Sequence, residues 1–255
     1  MIRVLAILLA FVAPVAFAAT EEVVGALSQN KVSITANFDG SEIFIFGAVK
    51  RTAPIPEDIG PLHVVITVQG PRQEVTVRRK ERVLGIWVNT DSVTVDEAPA
   101  YYAIATTGPL TKILSETERL RHGIGFDKAI RTVGARADVE DPESFTEAVV
   151  RIRQKNGLYT EADSAINLRE DTLFATSVAL PANLVEGSYT TRMYLVRERA
   201  VVGTTETAIT VQKDGFERWI YTMAHEQALL YGILSIAVAL AAGYIASEAF
   251  RLLRR

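Results

Sequence analysis

The chain has no cysteine. That absence removes disulfides, thiolate metal ligands, redox dithiols and cysteine nucleophiles, so a domain of this size relies on its core alone. Histidine is nearly as scarce. His63, His122 and His225 are the three present; none has a second histidine at metal-ligand spacing, and no H-E-x-x-H occurs. Beyond residue 18 the only methionines are Met193 and Met223, too few for a copper carrier. A G-x-S-x-G elbow is missing, and Gly123-Ile124-Gly125 lacks both the third glycine and the preceding strand of a dinucleotide loop. The adjacent carboxylates Glu21-Glu22, Asp96-Glu97 and Glu140-Asp141 read as solvated surface. A triad assembled across the chain stays open. No catalytic residue, metal ligand or cofactor is assigned, and enzymatic activity is not expected.

A dominant basic surface is also lacking. Lys and Arg number 27 against 30 Asp and Glu. Without Arg3, Glu248, Arg251, Arg254 and Arg255 at the two ends, 23 basic and 29 acidic residues remain, about −6 by formal count. This argues against a general nucleic-acid or anionic-membrane binder, while a local basic patch stays open.

Long apolar runs are confined to the termini. Residues 1–18 have Arg3 as a positive n-region, Val4 to Val12 as an apolar h-region, Pro14 as its stop, and Ala16-Phe17-Ala18 as a cleavage site. This is the pattern of a signal peptide removed after Ala18. Residues 228–246 are nineteen residues without a charge, about the length that crosses a bilayer. Trp219 and Tyr221 stand at the depth where aromatic belts anchor a span. Residues 247–255 carry Arg251, Arg254 and Arg255 against Glu248 alone, which places that tail on the cytoplasmic side. The expected topology is a bacterial inner-membrane, single-pass protein with its N-terminal domain periplasmic. Within the span, Gly232, Ser235, Ala239 and Gly243 are small residues that would admit a second helix, although such residues are also ordinary in membrane helices.

Between the ends, short alternating runs separated by turn residues predict a mainly β domain over 19–214. The expected fold is an immunoglobulin-like antiparallel β-sandwich with a helical insertion near 108–160, followed by a juxtamembrane segment at 215–227 and one C-terminal transmembrane α-helix. Lys31 to Ala36 alternates, Asp39-Gly40 is a hairpin signal, and Glu42 to Phe46 is apolar on both faces, as suits a central strand. Gly70-Pro71 predicts a turn between His63–Gln69 and Glu74–Arg78. Gly85 to Val88, Ser92 to Val95 and Tyr101 to Thr106 continue the strands, and Tyr101 and Tyr102 point to opposite faces. A helix from Pro109 shows Leu110, Ile113, Leu114, Thr117 and Leu120 on one side and Gly123 as its stop. A second opens at Asp141-Pro142, with Phe145, Ala148, Val149 and Ile152 as its stripe. Residues 127–138 are ambiguous. Strands return from Leu173, and Gly187-Ser188-Tyr189 has the look of a tyrosine corner.

The segments ITANFDGSEIFIFGAV (34–49), VQGPRQEVTVRRKERVLGIWVN (68–89), LFATSVALPANLVEGSYTTRMYLV (173–196) and LYGILSIAVALAAGYIASEAFR (230–251) resemble an alphaproteobacterial single-pass transmembrane protein family (Alph_Pro_TM-like). The resemblance implies a periplasmic domain on an inner-membrane anchor without an established reaction. It also implies an accessory role beside a multispanning partner, since such proteins are often linked to permeases of the sulfite-exporter type.

Arg72, Arg78, Arg79, Lys80 and Arg82 place five basic residues in eleven positions of an acidic domain. They offer forked donors to a small anion, an envelope component or an acidic partner. Equally, they suit a solvated hairpin end that discourages edge pairing.

Overall fold

Period-two runs become two main sheets and one long hairpin. The computed structural model describes residues 21–35, 38–52, 60–131, 141–213 and 215–253, without the side chains of residues 142, 216–219, 222, 248, 250, 252 and 253. The expected signal segment, Ala36, residues 132–138 of the ambiguous stretch, Arg254 and Arg255 lie outside the described residues, as does the side chain of Trp219.

The smaller sheet is antiparallel and runs in the order β1 (Glu21–Leu27), β3 (Gly40–Arg51), β10 (Leu173–Pro181), β9 (Asn167–Arg169). The larger runs β2 (Lys31–Ile34), β12 (Ala200–Lys213), β11 (Gly187–Arg197), β4 (His63–Gln69), β7 (Tyr102–Thr106), β8 (Tyr159–Ala162). The mainly β class and the apolar C-terminal helix agree with expectation. The larger sheet is mixed, however, because β2 lies parallel to β12 and β8 parallel to β7.

The two sheets share one apolar core, with Ile43 and Ile45 from β3, Phe174 from β10, Val64 and Ile66 from β4, Met193 and Leu195 from β11 and Ile209 from β12. Strand β3 is central, as its composition suggests, yet Phe44 and Phe46 on its other face stay exposed. Two facing glycines make the core fit. Gly25 and Gly47 are register partners in β1 and β3, and a β-carbon on either would collide with Met193 or Phe174 respectively.

The helices explain why the larger sheet is apolar on both faces. A parallel β7–β8 pair requires a crossover, and this one carries α1 (Leu110–Ile113), α2 (Glu116–His122), α3 (Phe126–Ala129) and α4 (Pro142–Lys155). Leu110, Ile113, Leu114, Ile124, Ala129 and Val149 of this crossover pack with Val65, Tyr102, Ile104, Tyr194 and Val196 of the sheet. Strands buried on both sides are expected to be near-continuously hydrophobic, as β4 and β7 are. Tyr101 and Tyr102 accordingly enter opposite cores, and both are buried. Tyr101 donates its hydroxyl hydrogen to the Ala179 carbonyl at 2.8 Å and Tyr102 to Gly123 at 3.1 Å. The expected corner forms too, with the Tyr189 hydroxyl donating to the Val185 carbonyl at 2.8 Å.

Three local expectations are corrected. Asp39-Gly40 does not close a hairpin, because β2 and β3 belong to different sheets. Gly70-Pro71 does not turn β4 back on β5 (Arg72–Val83); β4 pairs instead with β11 and β7, and β5 pairs with β6 (Ile86–Pro99). The helix from Pro109 is two pieces, because the Ser115 side chain accepts the Glu118 N–H and starts a new turn. That offset leaves Leu120 exposed, and Ile152 at the end of the α4 stripe is exposed as well.

The adjacent carboxylates Glu21-Glu22 divide. Glu22 is exposed with Lys50, but Glu21 is buried between Arg197, at 2.7 Å, and Arg51, at 2.9 Å. This ties the first described strand to β11 across the sheets.

Candidate functional site

The ladder from β4 into β5 does not break at Gly70-Pro71. Gly70 N–H donates to Tyr101 and Ala100 N–H to Pro71, each at 2.8 Å, so β4–β5 and β6–β7 form one continuous ribbon. Beyond the sheet, the twelve residues of β5 make an arm about 40 Å long at ~3.4 Å per residue. Near its base Val93, Val95 and Ala98 are buried, and Val75 and Val77 pack against the helical core. The whole tip, from Glu81 to Thr90, is exposed.

Alternation and the pairing register distribute the five basic residues. Arg72 lies at the base, where it forms an ion pair with Glu97. Arg79 turns toward α4, with its guanidinium 4.7 Å from the Phe145 ring centre and 2.6 Å from the Ser144 hydroxyl. Arg78, Lys80 and Arg82 fall on the other face and are exposed. The ladder shifts after Arg79, so Thr90 is bulged out and Trp87 stands opposite Arg82. Directly opposed residues share a face. Trp87 therefore joins Arg78, Lys80 and Arg82, while Glu81, Val83, Ile86 and Val88 share the reverse face. The structure thus brings three of the five basic residues together and adds an aromatic ring.

The turn at the end has two left-handed residues, Leu84 with φ 49° and Gly85 with φ 90°. This suits the tight hairpins in which Asn-Gly is usual. Glycine fits there freely, whereas leucine does not. Leu84 is 100% exposed, Trp87 70% and Ile86 67%. An apolar side chain at a strained, fully solvated turn position stabilises nothing within this chain. Leu84→Asn is therefore expected to raise stability by about 1 kcal/mol, read from urea or thermal unfolding; a loss would mean that Leu84 has a structural role.

At the other end of the chain, α5 (Phe216–Glu226) and α6 (Ala228–Leu253) are separated by a break at Gln227, whose φ and ψ are −131° and 49°. Tyr221 is exposed and stacks on His225 at 4.0 Å between ring centres. Residues Ala228–Ser247 are long and apolar enough to cross a membrane and are not covered by the described chain. Gly232, Ser235, Ala239 and Gly243 recur at three and four residues, so they share one face of α6. Ser235 donates to the Tyr231 carbonyl at 2.8 Å, and a β-carbon at Gly232 or Gly243 would meet no described atom within 4 Å.

Other concavities occur among the described residues. A groove of about 570 Å³ on the outer face of the smaller sheet is lined by Val24, Phe46, Leu173 and Ala175. A cleft of about 640 Å³ between α3 and α4 contains Arg119, Asp127, Lys128, Glu147 and Glu161. Most of its charges near α3 are paired, since Lys128 bridges Glu116 and Asp127 at 3.0 Å each. Burial, with Asp163 adding, holds the Glu161 carboxyl above the ordinary range. His63, whose pKa is lowered by burial, contacts the Thr107 hydroxyl, and His122 lies 3.4 Å from Glu118. Among the described residues no group of three His, Asp or Glu could hold a metal ion.

No curated protein matches this sequence. Spo0M, a sporulation control protein from Bacillus subtilis, is a similar solved structure. It is 9% identical with a TM-score of 0.28, covering 76% of this chain and 50% of its own. The chain thus spans about half of that protein, and the likeness is too low to carry a fold or function argument. A family model does match, over residues 22–252. With an exposed helix able to span a bilayer inside the matched region, the chain belongs to the family described as "Putative transmembrane protein (Alph_Pro_TM)".

Proposed function

We propose that this protein is a non-enzymatic accessory subunit. Its β domain is periplasmic, its anchor crosses the bacterial inner membrane, and it docks on a multispanning partner through α6 and the segment before it. The observation that carries this reading is α6 itself. It is uncovered by the described residues and presents Gly232, Ser235, Ala239 and Gly243 on one face, and small residues let a second helix approach closely. A transporter is the partner class proposed, and a sulfite-exporter-type permease is the kind that the family resemblance implies. The alternative, a periplasmic binding module for a small anion or envelope component, has less support. Arg72 and Arg79 already have partners within the chain, and Arg82 donates to the Gly85 carbonyl at 3.3 Å, which leaves Arg78 and Lys80 among the described residues.

The test is co-purification of the full-length protein from its native membrane in mild detergent. A multispanning partner is expected at near-equal stoichiometry. Gly232→Leu with Gly243→Leu is expected to lower its recovery about tenfold, equivalent to about 1.4 kcal/mol. Equal recovery with both variants, or no such partner, overturns docking through this face.

A further inference from the structure

We propose that the tip of the β5–β6 arm inserts into the headgroup layer of the bilayer that α6 crosses, with anionic phospholipid as its ligand. The proposal rests on the membrane-anchored reading for the tether and is independent of any protein partner.

The composition of the tip carries the chemistry. Leu84, Ile86 and Trp87 form an exposed apolar end, and Arg78, Lys80 and Arg82 lie behind it on the face that Trp87 shares. Basic side chains near a surface are attracted to anionic headgroups, and tryptophan sits at the junction of headgroup and acyl chain. The rest of the exported chain is acidic in balance, so this attraction is local to the arm. Glu81 opposes it only from the reverse face. A leucine held left-handed at full exposure becomes intelligible once the tip leaves water.

The topology places the arm on the correct side. Thr190 of β11 pairs with Gln69 of β4 and with Ala208 of β12, so β4 and β12 run the same way, and β4 ends abreast of a point five residues before the end of β12. From that same end of the sheet, β4 runs on into the arm and β12 runs on to α5 and α6. The eleven residues of α5 span about 16 Å, well inside the reach of the arm.

The experiment uses the full-length chain with Trp219→Phe, which leaves Trp87 as the single tryptophan. It is reconstituted without other proteins in nanodiscs of phosphatidylcholine alone, or of equal parts phosphatidylcholine and phosphatidylglycerol. In the anionic discs Trp87 emission is expected to shift to the blue and to fall several-fold when the acyl chains are brominated, with a weaker response in phosphatidylcholine. Leu84→Asn is expected to abolish the quenching without loss of folding, which separates contact from unfolding. Arg78→Ser, Lys80→Ser and Arg82→Ser together are expected to erase the difference between the two lipids. Emission indifferent to bromine in both discs overturns the proposal. So does quenching that ignores phosphatidylglycerol and the triple substitution. A blue shift seen only when native membrane proteins are added assigns the tip to a protein partner and also overturns it, while leaving the docking reading intact. Failure of co-purification through α6 would not alter the nanodisc result.

Discussion

Glu21→Gln is expected to destabilise the β domain by about 3–5 kcal/mol, the usual consequence of breaking a buried ion pair from one side. The Glu21 and Arg197 side chains are 7% and 8% exposed. Arg197 donates to both carboxylate oxygens, at 2.7 and 2.9 Å, and Arg51 donates to one of them. Glutamine keeps the shape but removes the charge that compensates two guanidinium groups. Arg197 also reaches the Gly60 carbonyl, so the loss extends beyond the first strand. Urea unfolding of the full-length protein in detergent measures the effect, and a change below about 1 kcal/mol would show that solvent screens the cluster.

The same carboxylate sets a pH dependence. The hydrogen bond from Arg197 lowers the pKa of Glu21 below the ordinary 4.5, with Arg51 adding and burial opposing. A carboxyl depressed in the folded state contributes stability that is complete above its unfolded pKa and is lost as pH falls through the folded one. The gap between wild type and Glu21→Gln is therefore expected to be constant near neutrality and to narrow below about pH 4.5. A gap independent of acid would place the effect in packing instead of charge.

Gly47→Ala is the second large expected effect, a loss of about 3 kcal/mol, at the upper end of overpacking costs. The added methyl would lie 2.7 Å from the Val24 carbonyl oxygen and closer still to the ring end of Phe174. The carbonyl belongs to the paired strand β1 and cannot withdraw without opening the ladder. Phe174 is 2% exposed, so its ring cannot swing into solvent without leaving the core. Phe174→Leu should relieve the ring clash but not the backbone clash, so the double variant is expected to recover only part of the loss. Full recovery would assign the whole effect to the ring, and a Gly47→Ala protein as stable as wild type would rule out the close approach.

Much of the architecture was legible from local chemistry. Nineteen uncharged residues cannot be solvated as a helix, so α6 followed from length and hydropathy alone. Gly123 and Asp141-Pro142 mark helix ends because capping acts within one turn, whereas Ser115 was read through as helix interior. Tyr189 found its corner because the acceptor lies four residues away. The functional residues were partly legible. Five basic residues stood out by composition, but strand alternation and the bulge at Thr90 decided that Arg79 packs on α4 and that Trp87 joins Arg82.

The apolar end of the arm illustrates the boundary. Gly85 to Val88 read as one more strand of the series, since Ile, Trp and Val favour strands. Only the continuous ribbon through Gly70 and Ala100 carries them away from both sheets. Likewise, no local pattern distinguishes Glu21 from Glu22, and the difference comes from Arg197, 176 residues away. By itself the sequence determined the anchor, the β class and the helix caps, because these depend on neighbours within a few positions. Tertiary structure alone decided which strands share a sheet, which carboxylate is buried and which hydrophobic residues face outward, because each depends on partners that only the folded chain brings together.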